Sequence, residues 1–181
     1  MTDCSQLQAL LDGAKQERQA LDDPETYCQD QCDPGDVECI KQCFRSISGR
    51  RQATDQEIAD IENEMGLCNM FSGTWSFIVQ GVVETNARYE GSLNITGPLT
   101  GTINLPDTLG NTPFSGTYDP VQGTIQLLRP FSDGTGSAED YRGSVDFSTQ
   151  PPTMQGGMTI DYGPGIRGIE PVYDWFAQKQ S

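Results

Sequence analysis

Six cysteines have the clearest capacity for chemistry in this sequence, and four of them fall as Cys28-x3-Cys32-x6-Cys39-x3-Cys43. Cysteines four apart on a helix share one face. Two short antiparallel helices joined at Asp33-Pro-Gly-Asp36 bring two such pairs together, and nested bonds Cys28–Cys43 and Cys32–Cys39 follow from that geometry. Cys4 and Cys68 remain at the two ends of the same segment and form a third candidate pair. Spacing alone does not fix connectivity. A four-thiolate zinc site and free thiols are the alternatives. Disulfides are favoured, because every cysteine has an obvious partner and so small and polar a segment needs cross-links. They imply an oxidising compartment, so the chain is expected to be secreted or periplasmic.

Other reactive sets are hard to assemble. The sequence has no histidine, which removes the commonest general base and the commonest metal ligand. No Ser-x-x-Lys or Gly-x-Ser-x-Gly occurs to replace a His-dependent triad. The glycines sit within strand patterns and open no helix, so there is no phosphate loop. Asp133-Gly-Thr-Gly-Ser-Ala-Glu139-Asp140 has carboxylates in the wrong order for an EF-hand and reads as a solvated turn. Asn94-Ile-Thr96 fits the glycosylation triplet. No catalytic residue, metal site or cofactor is expected.

Arg129 is the charge of most interest. It follows Val121, Gly123, Ile125 and Leu127 at the same parity, which points it into the protein. There it could face a ligand carboxylate or cover Trp75. The alternative is that the strand has reached its rim and Arg129 snorkels to water, as the following Pro130 suggests. Tyr89 and Tyr141 share the inward parity and could donate hydrogen bonds to a ligand, or simply line the interior.

The elements that position these residues differ along the chain. Residues 1–68 hold all the cysteines and read as helical; residues 69–181 hold none and read as all-β. Leu7, Leu10, Leu11, Ala14 and Leu21 recur at helical spacing. Asp23-Pro24 starts a second helix, and Thr54-Asp-Gln-Glu57 reads as a capping box opening another. The second half repeats an apolar-x-Gly-Ser/Thr/Gly-apolar pattern, as in Phe71-Ser-Gly-Thr-Trp75 and Leu99-Thr-Gly-Thr-Ile103. Its period of two predicts strands with one apolar face.

Eight strands are expected, at 71–83, 86–97, 99–108, 112–118, 121–131, 139–148, 153–161 and 171–179. Turns are expected over Asp107 to Thr112, at Asp119-Pro120, over Ser132 to Gly136 and at Pro151-Pro152. Short links make the strands an antiparallel up-and-down meander. Closing it into a barrel removes both edges; a solenoid fits less well, because the glycine spacing is uneven. The fold class is thus a disulfide-linked α-helical segment followed by an eight-stranded antiparallel barrel. The inward motif glycines permit strong curvature or leave room for a ligand, and curvature is favoured because they recur in nearly every strand.

Charge and hydropathy narrow the partners. A formal charge of −15 repels nucleic acid and anionic lipid. No apolar run is long enough to span a bilayer. Met-Thr-Asp-Cys at the start shows no signal peptide, so the chain is cytosolic or begins after a removed signal.

Phe71-Ser-Gly73-Thr-Trp75, opening an eight-strand meander, resembles the Gly-x-Trp start of the calycin barrels: lipocalins, avidins and fatty-acid-binding proteins. The resemblance covers residues 71–179. It implies that Trp75 closes one barrel end, often beneath an Arg of the last strand. Here 171–179 holds no Arg, and Arg167 lies just before it. It also implies a small, largely apolar ligand. The twin Cys-x3-Cys hairpin is similar in geometry to α-hairpinin peptides and to small translocase chaperones of the mitochondrial intermembrane space.

Three functions remain. The first is a non-enzymatic extracytoplasmic binding protein whose barrel holds a small apolar ligand, with contacts drawn from Trp75, Phe77, Tyr89, Ile125, Arg129, Tyr141, Phe147 and Met158. Leu93, Ile95, Ile103, Tyr118, Leu127, Val145 and Ile160 complete the inward set, which could equally fill a narrow barrel. The second is a filled barrel acting as a protein-interaction module (an inhibitor, adhesin or surface subunit), favoured by any exposed apolar patch near Ile40 and Phe44. The third is a barrel cyclase or isomerase using Tyr or Glu.

Overall fold

A computed structural model describes residues 3–82, 87–105, 110–131, 137–161 and 173–180. The chain divides into two compact units, one over Thr2–Leu67 and one that takes in Cys68–Ser181. The turn expected over 132–136 with its Asp133, residues 107–109 of the turn expected at 107–112, and Arg167 lie outside the described residues.

Three helices account for the first part of the chain: α1 (Cys4–Ala20), α2 (Pro24–Gln31) and α3 (Val37–Phe71). Each begins where an aspartate carboxylate accepts a backbone N–H. Asp3 takes that of Ser5, Asp23 that of Thr26 and Asp36 that of Cys39, satisfying donors left over at a helix start. On α1, Leu7, Leu11 and Ala14 are buried, whereas Leu10 is half exposed, off that face. The expected break at Thr54 does not occur. Thr54 lies in mid-α3, buried, and its hydroxyl donates to the Arg50 carbonyl at 3.0 Å. Bonding one turn back in this way, a threonine stays within a helix instead of capping one.

The cysteine frame is a disulfide frame. Cys28 is bonded to Cys43 and Cys32 to Cys39. Cys4 and Cys68 are disulfide-bonded as well, so none of the six is free. Zinc and free thiols are thereby set aside, and the frame belongs to an oxidising compartment. Around it Leu21, Cys28 and Ile47 form a buried cluster, with Tyr27 and Cys43 packed against it.

The second unit is a closed barrel of eight antiparallel strands in sequential order. They are β1 (Gly73–Gly81), β2 (Arg88–Gly97), β3 (Thr100–Leu105), β4 (Gly110–Asp119), β5 (Thr124–Pro130), β6 (Ala138–Asp146), β7 (Thr153–Asp161) and β8 (Tyr173–Lys179). Phe71, expected to begin the first strand, instead ends α3. Val121 was expected inside the fifth strand. It is 93% exposed in the β4–β5 turn, where the Asp119 carboxylate accepts the N–H groups of Val121 and Gln122. Phe147 was expected within the sixth strand, but β6 ends at Asp146, and the Phe147 ring packs against Phe71 from the turn that follows. The Asp146 carboxylate accepts from the backbone N–H and hydroxyl of Ser148 and turns the chain there, leaving Phe147 36% exposed.

The inward glycines make curvature. A Cβ on Gly101 would overlap the Asn94 carbonyl oxygen of the neighbouring strand, and one on Gly156 would overlap that of Arg142. The strands approach so closely there that only glycine fits. The space beside Gly143 is taken by the Trp175 indole, whose N–H donates to the carbonyls of Arg142 and Gly157.

Candidate functional site

The barrel interior has two ends of different chemistry. At one, where β1 begins and β8 finishes, apolar side chains fill the space. Trp75 is fully buried and donates its indole N–H to the Phe71 carbonyl at 2.9 Å. The Phe71 ring packs edge-on against Tyr118 and Phe147, with centroids 5.1 and 5.4 Å away. Lys179 of β8 sets its ammonium 5.8 Å from the centre of the Trp75 ring, within reach of a cation–π contact. A last-strand cation therefore does cover the tryptophan, supplied by lysine and not arginine. Above this layer Phe77 packs edge-on against Tyr141 at 5.3 Å and lies 5.9 Å from Trp175. Ile125 and Leu127 are buried alongside.

The opposite end, where β1, β3, β5 and β7 finish, is charged inside. Arg129 and Glu139 face each other across β5 and β6. The Arg129 side chain is fully buried and turns inward, not to the rim. Its Nη1 donates to Glu139 Oε2 at 3.0 Å, its Nη2 to the Gly110 carbonyl at 3.1 Å and its Nε to the Thr112 hydroxyl. The Tyr141 hydroxyl donates to the same Glu139 oxygen at 2.6 Å. Burial, then the charge of Glu139 and this hydrogen bond, push the Tyr141 pKa far above the usual phenol value. Tyr141 therefore keeps its proton and serves as a fixed donor, not as a proton carrier.

Beside this network lies an interior pocket of about 110 Å³. Val79, Leu105, Met158 and Ile160 supply apolar walls. Tyr89, Tyr173, Tyr141 and Glu139 supply the rest. The Tyr89 and Tyr173 rings are 6.4 Å apart and tilted by 55°. A larger concavity, about 640 Å³, lies on the outer wall over Ile78, Gln80, Asp174 and Phe176. Ser144 and Gln155 of β6 and β7 also line it, the buried Trp175 reaches it between Gly143 and Gly156, and it carries none of the buried charge.

Of the residues that the sequence nominates as ligand contacts, Tyr89, Tyr141 and Met158 come together around the pocket, and Arg129 stands directly behind Glu139. Phe77 lies one layer below. Trp75, Ile125 and Phe147 belong to the filled end. Sequence reasoning missed Glu139, Tyr173, Val79 and Leu105. Glu139 had a usable signal: it is two residues before Tyr141 and so shares its inward parity, but its acidic neighbours read as a turn.

No helix among the described residues is long and apolar enough to cross a membrane. No His/Cys/Asp/Glu cluster suited to a metal occurs among them. No protein-family model matches the chain, and no curated protein matches its sequence.

Proposed function

We propose that this chain is a non-enzymatic extracytoplasmic binding protein, secreted or periplasmic, that holds a small, largely apolar ligand inside one end of its barrel. One observation carries the reading. The interior packs side chain against side chain around Trp75, Phe77 and Trp175, yet beside the Arg129–Glu139–Tyr141 network it leaves a pocket of about 110 Å³. Apolar walls with a few fixed polar groups are the usual composition of a ligand site. The volume is well below the roughly 300–1,000 Å³ of pockets for drug-sized molecules, so the ligand, or the part of it that enters, is small.

Native mass spectrometry of protein purified from an oxidising host tests this. The expected result is an adduct that is lost on denaturation, over a polypeptide mass matching three disulfides. A clean apo mass after exposure to cell and lipid extracts contradicts it.

A second reading is a protein-interaction module built on a filled barrel. It is favoured by Val37 and Phe44, 60% and 44% exposed, which flank the half-buried Ile40 on α3. Replacing Val37 and Phe44 by serine abolishes partner capture under that reading and leaves it unchanged under the first.

A further inference from the structure

We infer that the pocket selects a neutral molecule of one aromatic ring bearing a hydroxyl group, a phenol in chemical class, with its O–H donated to Glu139. The inference rests on the ligand-binding reading and names the ligand chemistry for the same site.

Size comes first. An apolar cavity of about 150 Å³ takes one benzene molecule. A pocket of about 110 Å³ therefore admits no more than one ring, with the flexible Met158 side chain able to yield slightly. The wall chemistry comes second. Tyr89 and Tyr173, tilted by 55°, present surfaces for the offset and edge-to-face contacts that aromatic rings prefer.

Charge decides among ring compounds. Glu139 lines the pocket and is an acceptor, already receiving Arg129 and Tyr141 on one oxygen. A carboxylate offers about four acceptor sites, and the described residues place two donors, Arg129 and Tyr141, on this one. An anionic ring such as benzoate would meet Glu139 inside a chain of charge −15. A cationic ring would be drawn by Glu139 but repelled by Arg129, whose Nη1 is only 3.0 Å from that carboxylate. Either ion would also lose its hydration on entry. A neutral O–H avoids both costs and makes a hydrogen bond to a charged acceptor. A site built around such a bond rejects the analogue that lacks it.

The test is calorimetric titration of the full disulfide-bonded chain with phenol, toluene, benzoate and benzylammonium. Phenol is expected to bind on the order of 10- to 100-fold more tightly than toluene, the range expected for a hydrogen bond to a charged group. Both ions are expected to bind more weakly than phenol. In Glu139→Gln, which keeps an acceptor for Tyr141, the phenol-to-toluene ratio is expected to fall several-fold. If that variant does not fold, the wild-type ratio still decides. In Met158→Trp, which fills the pocket, all binding is expected to vanish. Equal affinity for phenol and toluene would overturn the inference and leave the small-apolar-ligand reading intact. Tightest binding of benzylammonium would overturn it in favour of a cation. No binding of any probe at millimolar concentration would overturn both.

Discussion

Removing the guanidinium of Arg129 is expected to cost the barrel much of its stability. In Arg129→Met the Glu139 carboxylate, 11% exposed, loses its ion-pair partner and, among the described residues, keeps the Tyr141 hydroxyl. The Gly110 carbonyl and the Thr112 hydroxyl lose their donor as well. Breaking a buried pair from one side typically costs about 3–5 kcal/mol, because a charge is left inside without compensation. With a urea slope of about 2 kcal/mol/M, the unfolding midpoint falls by about 1.5–2.5 M. Tryptophan fluorescence is the assay. The two tryptophans of the chain, Trp75 and Trp175, both lie in the barrel, so the signal reports that unit alone. Arg129→Met/Glu139→Gln removes the stranded charge while keeping an acceptor for Tyr141, and is expected to be more stable than the single variant. A midpoint for Arg129→Met within experimental error of wild type would refute the buried-pair account. So would a double variant whose loss is the plain sum of the two single losses.

Three further outcomes follow from other parts of the molecule. Gly101→Ala or Gly156→Ala places a Cβ on a neighbouring carbonyl oxygen and is expected to prevent barrel folding. Gly13→Ala in α1 meets nothing within 4 Å and is expected to stabilise by about 0.5–1 kcal/mol; thermal melts of the three variants check the contrast. Cys28→Ala/Cys43→Ala opens a bond of sequence separation 15 and is expected to cost roughly 3 kcal/mol from chain entropy alone, read from helical ellipticity during denaturation. The Ser148 hydroxyl and backbone N–H hold the Asp146 carboxyl below its usual value of 3.8. Its contribution is therefore fully present above that value and is lost as pH falls through the lowered one. The Ser148 amide resonance is expected to titrate below the ordinary carboxylate range, and an ordinary midpoint would contradict the bond.

Much of this architecture could be read from residue spacing, because the underlying signals are local. Period-two alternation with repeated glycines points to strands, faces and a closing meander, and cysteines four apart on paired helices favour two nested bonds without fixing them. Terminations were harder. At Thr54 the same residues that cap a helix can bond backward within one, and the surrounding packing decides between them. At Val121 and Phe147 an apolar residue continues the parity of its strand, but the adjacent aspartate turns the chain first. The candidate site was half legible. Parity aimed Tyr89, Arg129, Tyr141 and Met158 inward. It could not show that Arg129 would be held by Glu139, because the pairing of β5 with β6 depends on the register of a whole barrel. Nor could it separate filled space from empty space, which depends on side-chain volumes summed over all eight strands.

The most direct test of the ligand-binding account uses the methionine methyl groups as reporters. Met158 lines the pocket, whereas Met154, two inward positions away on β7, lies buried where β7 faces Val145 and Ala177. Carbon-13 methyl spectra recorded during titration with phenol are expected to show the Met158 resonance moving to saturation while Met154 stays in place. A Met158 resonance unmoved by phenol or toluene at millimolar concentration would contradict a ligand site inside the barrel.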